Sequence, residues 1–408
     1  MTNIIFDLIN QEKKREEKTI NLIASENYVN PEIMQATGSI LTNKYAEGYP
    51  GKRYYGGCKI VDKIENFAIT TGKKLFQTDH INVQPHSGSS ANFAVYLSQL
   101  KPGDTVLGMS LTSGGHLTHG HKINFSGKIF NFIPYNVSPE TEKLDYNEIE
   151  ILVNQHKPKM IVAGASAYSR TIDFEKFYDI AKKNNCLLFV DMAHIAGLVA
   201  TGLHPSPIPF ADFVSSTTHK TLRGPRSGII CCKAEYAQQI DRSVMPGCQG
   251  GPLMHVIAAK AITFQEAQKE EFKKYQQQVL KNAKKMVVEF KKLNYKIVSG
   301  GTDNHLFLID LRNKNITGMQ AEKSLEKANI ILNRNSIPYD TQPPTITSGI
   351  RIGTPAVTTR GFVEKDVEKI VFWIDEIIKN HNNEILLKKL KVEIKELCKK
   401  LPIYKDFS

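Results

Sequence analysis

The stretch CLLFVDMAHIAGLVATGLHPSPIPFADFVSSTTHK, residues 186–220, decides the fold of this chain. It opens on a short apolar run, CLLFVD (186–191), that ends in an acid. It closes on a second run, DFVSSTT (212–218), followed by His219 and Lys220. Runs of this length and composition read as strands. Further strand candidates stand at TVLGM (105–109), KIFNFIPY (128–135), KMIVAG (159–164) and GIICC (228–232), with helical patterns such as FEKFYDIAKK (174–183) between most of them. Strand–helix alternation from about 61 to 265 predicts an α/β fold, a mostly parallel sheet with helices on both faces.

On either side of this block the pattern changes. Residues 1–40 read as an N-terminal helix and an extended arm, with Pro31 placed to start the next helix. The tract LTNKYAEGYPGKRYYGGCKI (41–60) holds four Tyr among its Gly and Pro, the composition of a functional loop. A long polar helix is expected over 263–293, then a strand at 305–311, a helix at 317–328, a strand at 330–333 and a helical region at 364–400. These make a smaller α+β C-terminal domain. The expected domains are therefore 1–60 (helix, arm and Tyr-rich loop), 61–265 (large) and 266–408 (linking helix and small domain). No repeat or low-complexity tract interrupts them.

The chain has 408 residues, 41% hydrophobic and 23% charged, an ordinary soluble composition. No apolar run approaches the ~18 residues of a membrane span, and the N-terminus lacks the pattern of a secretory or transit segment. A cytoplasmic protein is expected. Six cysteines occur without a C-x-x-C pair, which argues against a zinc cluster or a disulfide framework, so no metal is expected. Lys and Arg exceed Asp and Glu by 12. The excess is interleaved with Glu along helical segments and reads as solvated helix faces.

Three motifs carry chemistry. Ser87-Gly88-Ser89-Ser90-Ala91-Asn92 opens a helical pattern, and a small-residue turn at a helix N-terminus offers amide N–H groups to an anion; it is equally an ordinary cap. Asp191 ends its strand where parallel sheets bind ligands, the place for an anion that keeps a pyridinium nitrogen protonated; alone it is as well read as a helix cap. Lys220 follows the next strand beside His219 and Arg226, cationic neighbours that favour Schiff-base chemistry, whereas a lone Lys is usually solvated. The order turn, strand-end Asp, strand-end Lys is that of the aspartate-aminotransferase-like pyridoxal enzymes.

The chain resembles the serine hydroxymethyltransferase family nearly end to end. The resemblance is carried by LIASENY (22–28), LTNKYAEGYPGKRYYGG (41–57), VQPHSGS (83–89), GGHLTHG (114–120), SAYSR (166–170), VDMAHIAGLV (190–199), TTHKTLRGPRSG (217–228), QGGPLMH (249–255), SGGTDNHLFLIDL (299–311) and SGIRIGTPA (348–356). It implies the aminotransferase-like fold type I, pyridoxal 5'-phosphate as cofactor, and reversible transfer of the serine hydroxymethyl carbon to tetrahydrofolate.

The resemblance also implies roles. Lys220 carries the cofactor as a Schiff base, Asp191 pairs with the pyridinium nitrogen and His116 stacks on the ring. Ser166 and His194 lie near the phenolic oxygen. Ser87, Gly88 and Ser89 hold the phosphate, helped by Tyr45 and Gly251 of a neighbouring subunit. Thr217 and His219 flank the lysine, and Arg226 sets the charge beside it. Arg351 and Ser25 bind the substrate carboxylate, Glu47 handles the proton of the serine hydroxymethyl group and Tyr55 helps close the pocket. Leu111, Gly115, His116, Leu117, Tyr54 and Asn335 border the folate. An obligate homodimer with shared active sites follows, with serine, glycine and folate as small-molecule substrates and no membrane or nucleic-acid partner. The sequence departs from the family pattern at 340–345, at Cys248 and at Thr112-Ser113. Rival readings are a pyridoxal aldolase or acyltransferase without a folate pocket, and a basic RNA-binding protein on the same scaffold.

Overall fold

The computed structural model describes residues 3–404. The chain forms two compact units, Val29–Gln276 and a second made of residues 1–28 with Gln277–Ser408.

The larger unit is built on seven strands: β1 (His80–Asn82), β2 (Thr105–Met109), β3 (Asn131–Tyr135), β4 (Met160–Ala163), β5 (Leu187–Asp191), β6 (Phe213–Thr217) and β7 (Gly228–Cys232). Their order across the sheet is β1-β7-β6-β5-β4-β2-β3. Every pair from β6 to β3 is parallel, and β7 alone runs against its neighbours. All residues of β4, β6 and β7 are buried, as expected for strands covered on both faces. One core cluster unites Tyr96, Val106, Val162, Phe189, Phe213 and Ile230. The fold is thus the mostly parallel α/β architecture expected from the 186–220 stretch.

Local chemistry shifts some boundaries. The strand read at 128–135 begins only at Asn131, because the Asn124 side chain accepts the Ser126 N–H and starts a short helix, Phe125–Ile129. The polar helix read over 263–293 is two helices, Met254–Ala267 and Glu270–Lys292; Glu270 and Glu271 suit the positive end of the second. The Tyr-rich loop contains a hairpin pairing Gly48–Tyr49 with Lys52–Arg53. Arg53 braces it, donating to the carbonyls of Ala46 and Gly48 at 2.8 Å each. Pro31 does open a helix, Pro31–Thr37, capped by Asn30.

In the smaller unit four antiparallel strands run in the order Lys296–Ile297, Leu306–Asp310, Gly349–Gly353, Asn333–Asn335. The run read as one strand at 330–333 is divided: Ile330–Ile331 pairs in parallel with Ile20–Asn21, and Asn333–Asn335 joins the sheet. The closing helical region is a pair, Glu364–Lys379 and Glu384–Lys400. Trp373, Phe290, Phe307 and Phe362 help fill the core of this unit. Arg360 explains why the N-terminal residues belong here. Its buried guanidinium donates to the carbonyls of Glu16, Glu17, Thr19, Cys398 and Leu401, joining the two ends of the unit through one planar fork.

Candidate active site

Asp191 ends β5 opposite Ser215 of β6. Its Oδ2 accepts the Asn92 side-chain N–H at 2.9 Å and His119 Nε2–H at 3.1 Å, and its Oδ1 accepts the Ala193 N–H at 3.0 Å. Burial alone would raise this carboxyl. The hydrogen bond from His119 and the nearby charges, Lys220 among them, outweigh burial and hold it far below the ordinary carboxylate range. The capping role open to Asp191 is minor: the following helix, Ala196–Ala200, has no side-chain cap. Asn92 is itself fixed, accepting from Ser215 Oγ at 2.6 Å and donating to Thr118 Oγ1 at 2.8 Å.

Lys220 follows β6 and is 9% exposed. The loop that carries it turns back through Gly224, whose N–H meets the Thr218 carbonyl at 2.7 Å, and enters β7. Thr221 ties this loop to the one after β5, donating its hydroxyl to the His194 carbonyl at 2.9 Å and accepting the Gly197 N–H at 2.9 Å. His219 is pulled down to about 3 by burial, then by the charges of Lys220 and Arg226. Its Nδ1 is buried with no hydrogen-bond partner in the protein. Arg226 itself is exposed.

Ser87 caps the helix Gly88–Gln99 in a reciprocal box with Ser90, so the amides of Gly88 and Ser89 precede the first intrahelical acceptor. This turn lies against β6: a Cβ at Gly88 would stand 2.7 Å from the Thr217 methyl. Turn, acid and lysine therefore meet at one edge of the sheet. The loop after β2 adds His116, whose Nδ1 pairs with Thr118 Oγ1 at 2.7 Å. Burial, then the His119 charge, brings His116 down to about 4, so its ring is neutral at physiological pH. Ser166 is tied to the same loop, its N–H on the Gly114 carbonyl at 2.7 Å.

A second group in the same unit gathers Tyr45, Glu47, Tyr55, Gly250 and Gly251. The Tyr45 hydroxyl donates to Glu47 at 3.2 Å, its ring lies 5.0 Å from that of Tyr55, and Gly251 sits directly on it. Tyr45, Tyr54 and Tyr55 are 53%, 75% and 47% exposed. Leu111 and Leu117 flank Gly115 and His116 and are both exposed.

The smaller unit holds the remaining residues. Arg351 lies mid-strand, its Nε donating to Asn333 at 3.2 Å, and burial lowers it to about 10, still a cation at neutral pH. Ser25 follows Ala24, which packs against Gly353 of the same strand. Asn335 pairs with Gly349. The divergent segment 341–345 is exposed. It is closed off by Asp340, whose carboxylate accepts the Ser348 hydroxyl at 2.6 Å and the Ser348 N–H at 2.8 Å.

Sequence reasoning passed over His119, whose hydrogen bond and charge help hold Asp191 ionised, and Asn92, which also donates to it. Both stand inside quoted motifs, so the signal was a second histidine in GGHLTHG and a buried amide early in a helix.

Among α/β proteins, a cap turn, a strand-end acid and a buried lysine in this order belong to the fold type I pyridoxal-phosphate enzymes. The residues fit that group: a buried carboxylate already anionic, a buried lysine, and an unpartnered imidazole nitrogen beside it. A family model described as serine hydroxymethyltransferase matches residues 1–374. The chain belongs to that family, whose members use pyridoxal phosphate and folate, and it is a hydroxymethyltransferase. Among the described residues no helix is long and apolar enough to cross a membrane, and no group of His, Cys, Asp and Glu could hold a metal ion.

Proposed function

We propose that this enzyme moves the hydroxymethyl carbon between serine and tetrahydrofolate with pyridoxal phosphate bound at Lys220. The observation that carries this is the ionised, triply hydrogen-bonded Asp191 in the same cluster as the buried Lys220. When bound, the cofactor supplies an electron sink for bonds at the substrate α-carbon. Asp191 holds a proton on its ring nitrogen, and the neutral His116 covers the ring. The Gly88 and Ser89 amides and the hydroxyls of Ser87 and Ser89 would take the phosphate, and Ser166 and His194 would serve the phenolic oxygen. Thr217, His219 and Arg226 orient Lys220 and set the charge around its amine.

Arg351 grips the substrate carboxylate through its planar fork, with Ser25 beside it. Glu47 holds a proton at the serine hydroxyl oxygen, and Tyr55 excludes water. Leu111, Gly115, Leu117, Tyr54 and Asn335 border the folate. The exposed Tyr45, Tyr54 and Tyr55, gathered with Gly251, suit an interface more than a solvated surface. The working enzyme is accordingly a cytoplasmic homodimer in which Tyr45, Glu47, Tyr55, Ser25 and Gly251 complete the partner's site.

Two experiments test this. Borohydride reduction after addition of pyridoxal phosphate should label the peptide containing Lys220; label elsewhere refutes the lysine assignment. Mixing inactive Lys220→Ala with inactive Glu47→Gln and allowing exchange should restore about a quarter of the native activity, because half of the dimers then hold one intact site. No recovery in proven heterodimers would refute the shared site. Serine cleavage that is indifferent to tetrahydrofolate would point to an aldolase.

A further inference from the structure

Lys260 is an interior cation that the mechanism leaves unused. It stands on the helix Met254–Ala267 and is 1% exposed, although lysine is rarely found so deep. Its Nζ donates to the carbonyls of Val83 at 2.6 Å, Gly228 at 2.8 Å and Pro85 at 3.1 Å. An ammonium has three N–H donors and no acceptor, and this site offers three acceptors.

Those carbonyls belong to two segments. Val83 and Pro85 lie on the connection from β1 to the Ser87 cap, and Gly228 is the first residue of β7. The two touch at the turn itself: a Cβ at Gly228 would come within 2.3 Å of the Ser87 carbonyl. Ser227 Oγ and the Gly228 N–H also reach Pro85 O, at 3.0 and 3.2 Å. Gln249 secures the rest of the connection, donating to the Gln84 carbonyl at 3.0 Å and accepting the His86 N–H at 2.9 Å. Lys260 is the one charged group in this set of bonds.

We propose that Lys260 is a positioning residue for the phosphate-binding turn: by gathering three carbonyls beneath it, the ammonium fixes Ser87–Ser89 against β6 and β7 and places a positive charge under the bound phosphate. The inference rests on the reading that this turn takes the cofactor phosphate. It accounts for a buried lysine without a hydrogen-bonded acid. Burial pulls the ammonium down to about 7, opposed by the charge of Glu65. Glu65 itself is engaged by Arg53 at 2.5 Å and Gln84 at 2.8 Å. A dianionic phosphate overhead would favour the protonated lysine, so cofactor and ammonium support each other.

The test compares dissociation constants for pyridoxal phosphate and for pyridoxal, which lacks the phosphate, together with the 31P resonance of the bound cofactor. In full-length Lys260→Met, affinity for pyridoxal phosphate should fall about tenfold or more while that for pyridoxal holds, and the resonance should move. Lys260→Arg should fall less, since it keeps the charge but cannot reach all three carbonyls. Equal losses for both ligands would make Lys260 a general packing residue and overturn the proposal, as would an unchanged ratio and resonance. If the Met variant does not fold, the Arg variant decides by the same criteria. Ser89→Ala separates the two layers: if it leaves the ratio unchanged, the phosphate assignment fails. If it lowers the ratio and Lys260 variants do not, only the positioning role fails.

Discussion

Gly88→Ala should weaken cofactor binding through one contact, and a second substitution should repair it. The added methyl would lie 2.7 Å from Thr217 Cγ2, about 1 Å inside ordinary carbon–carbon contact. Gly88 opens a regular helix, so the cost is steric. Overpacking of this kind costs about 1–3 kcal/mol. If the turn retreats to relieve it, its amides leave the phosphate, and pyridoxal phosphate affinity drops by roughly 5- to 150-fold. Thr217→Ser deletes the opposing methyl and keeps the hydroxyl, so the double variant should regain most of the lost affinity. Gly228→Ala makes the contrast, because its methyl would meet the Ser87 backbone at 2.3 Å and no side-chain change can relieve it. The assay is titration of apo-protein with the cofactor, followed by absorbance. Native affinity in Gly88→Ala would refute the close approach of the turn to β6. Impairment that Thr217→Ser does not relieve would refute the methyl as its cause.

Arg360→Met should destabilise the smaller unit by about 3 kcal/mol or more, since buried carbonyls lose their donor, lowering Tm by roughly 10 °C; a native melting curve would contradict this. His116 and His219, held at about 4 and about 3 mainly by burial, give the apo-protein an acid sensitivity. Below the unfolded value of ~6.5 the unfolded chain takes up protons that the folded one refuses, so stability falls with pH until the folded values are reached. The loss between pH 7 and pH 5 is about 2 kcal/mol for each ring, and urea midpoints of His116→Asn and His219→Asn should flatten accordingly. Arg351→Lys keeps the charge but not the fork, so KM for serine should rise at least tenfold while cofactor affinity stays native; an unchanged KM would remove Arg351 from the carboxylate.

The α/β core was legible because its strands are continuous apolar runs, and β5 and β6 end at or just before the residues proposed to do the chemistry. Asp191 and Lys220 could be picked out by position, and the Ser87 turn by its small residues ahead of a helix. What stayed hidden depends on contacts distant in sequence. Arg360 in TTRGF looks like a surface charge until the carbonyls of both chain ends converge on it. Lys260 sits in an apolar helix face, and no pattern of side chains announces which backbone carbonyls lack a partner. The short helix at Phe125–Ile129 and the break near Gln268 were missed for a local reason. Apolar periodicity continues through both, and only a cap or a pair of acids marks the boundary.

The least legible part is also what makes the acid work. Burial disfavours the Asp191 carboxylate, and His116 brings no positive charge at neutral pH, because burial holds that ring neutral. The anion therefore depends on its hydrogen bonds and on the charges of His119 and Lys220. His119 supplies one of those bonds, and its orientation is set by the backbone: the His116 N–H meets Nδ1 at 3.2 Å, which turns Nε2 toward Asp191 at 3.1 Å. Asn92 cannot turn away either, since Ser215 and Thr118 occupy its other groups. The donors are thus aimed before any ligand arrives, so Asp191 would meet the ring nitrogen of the proposed cofactor as a preformed anion. A histidine that sequence reasoning passed over in GGHLTHG helps hold the strand-end acid ionised.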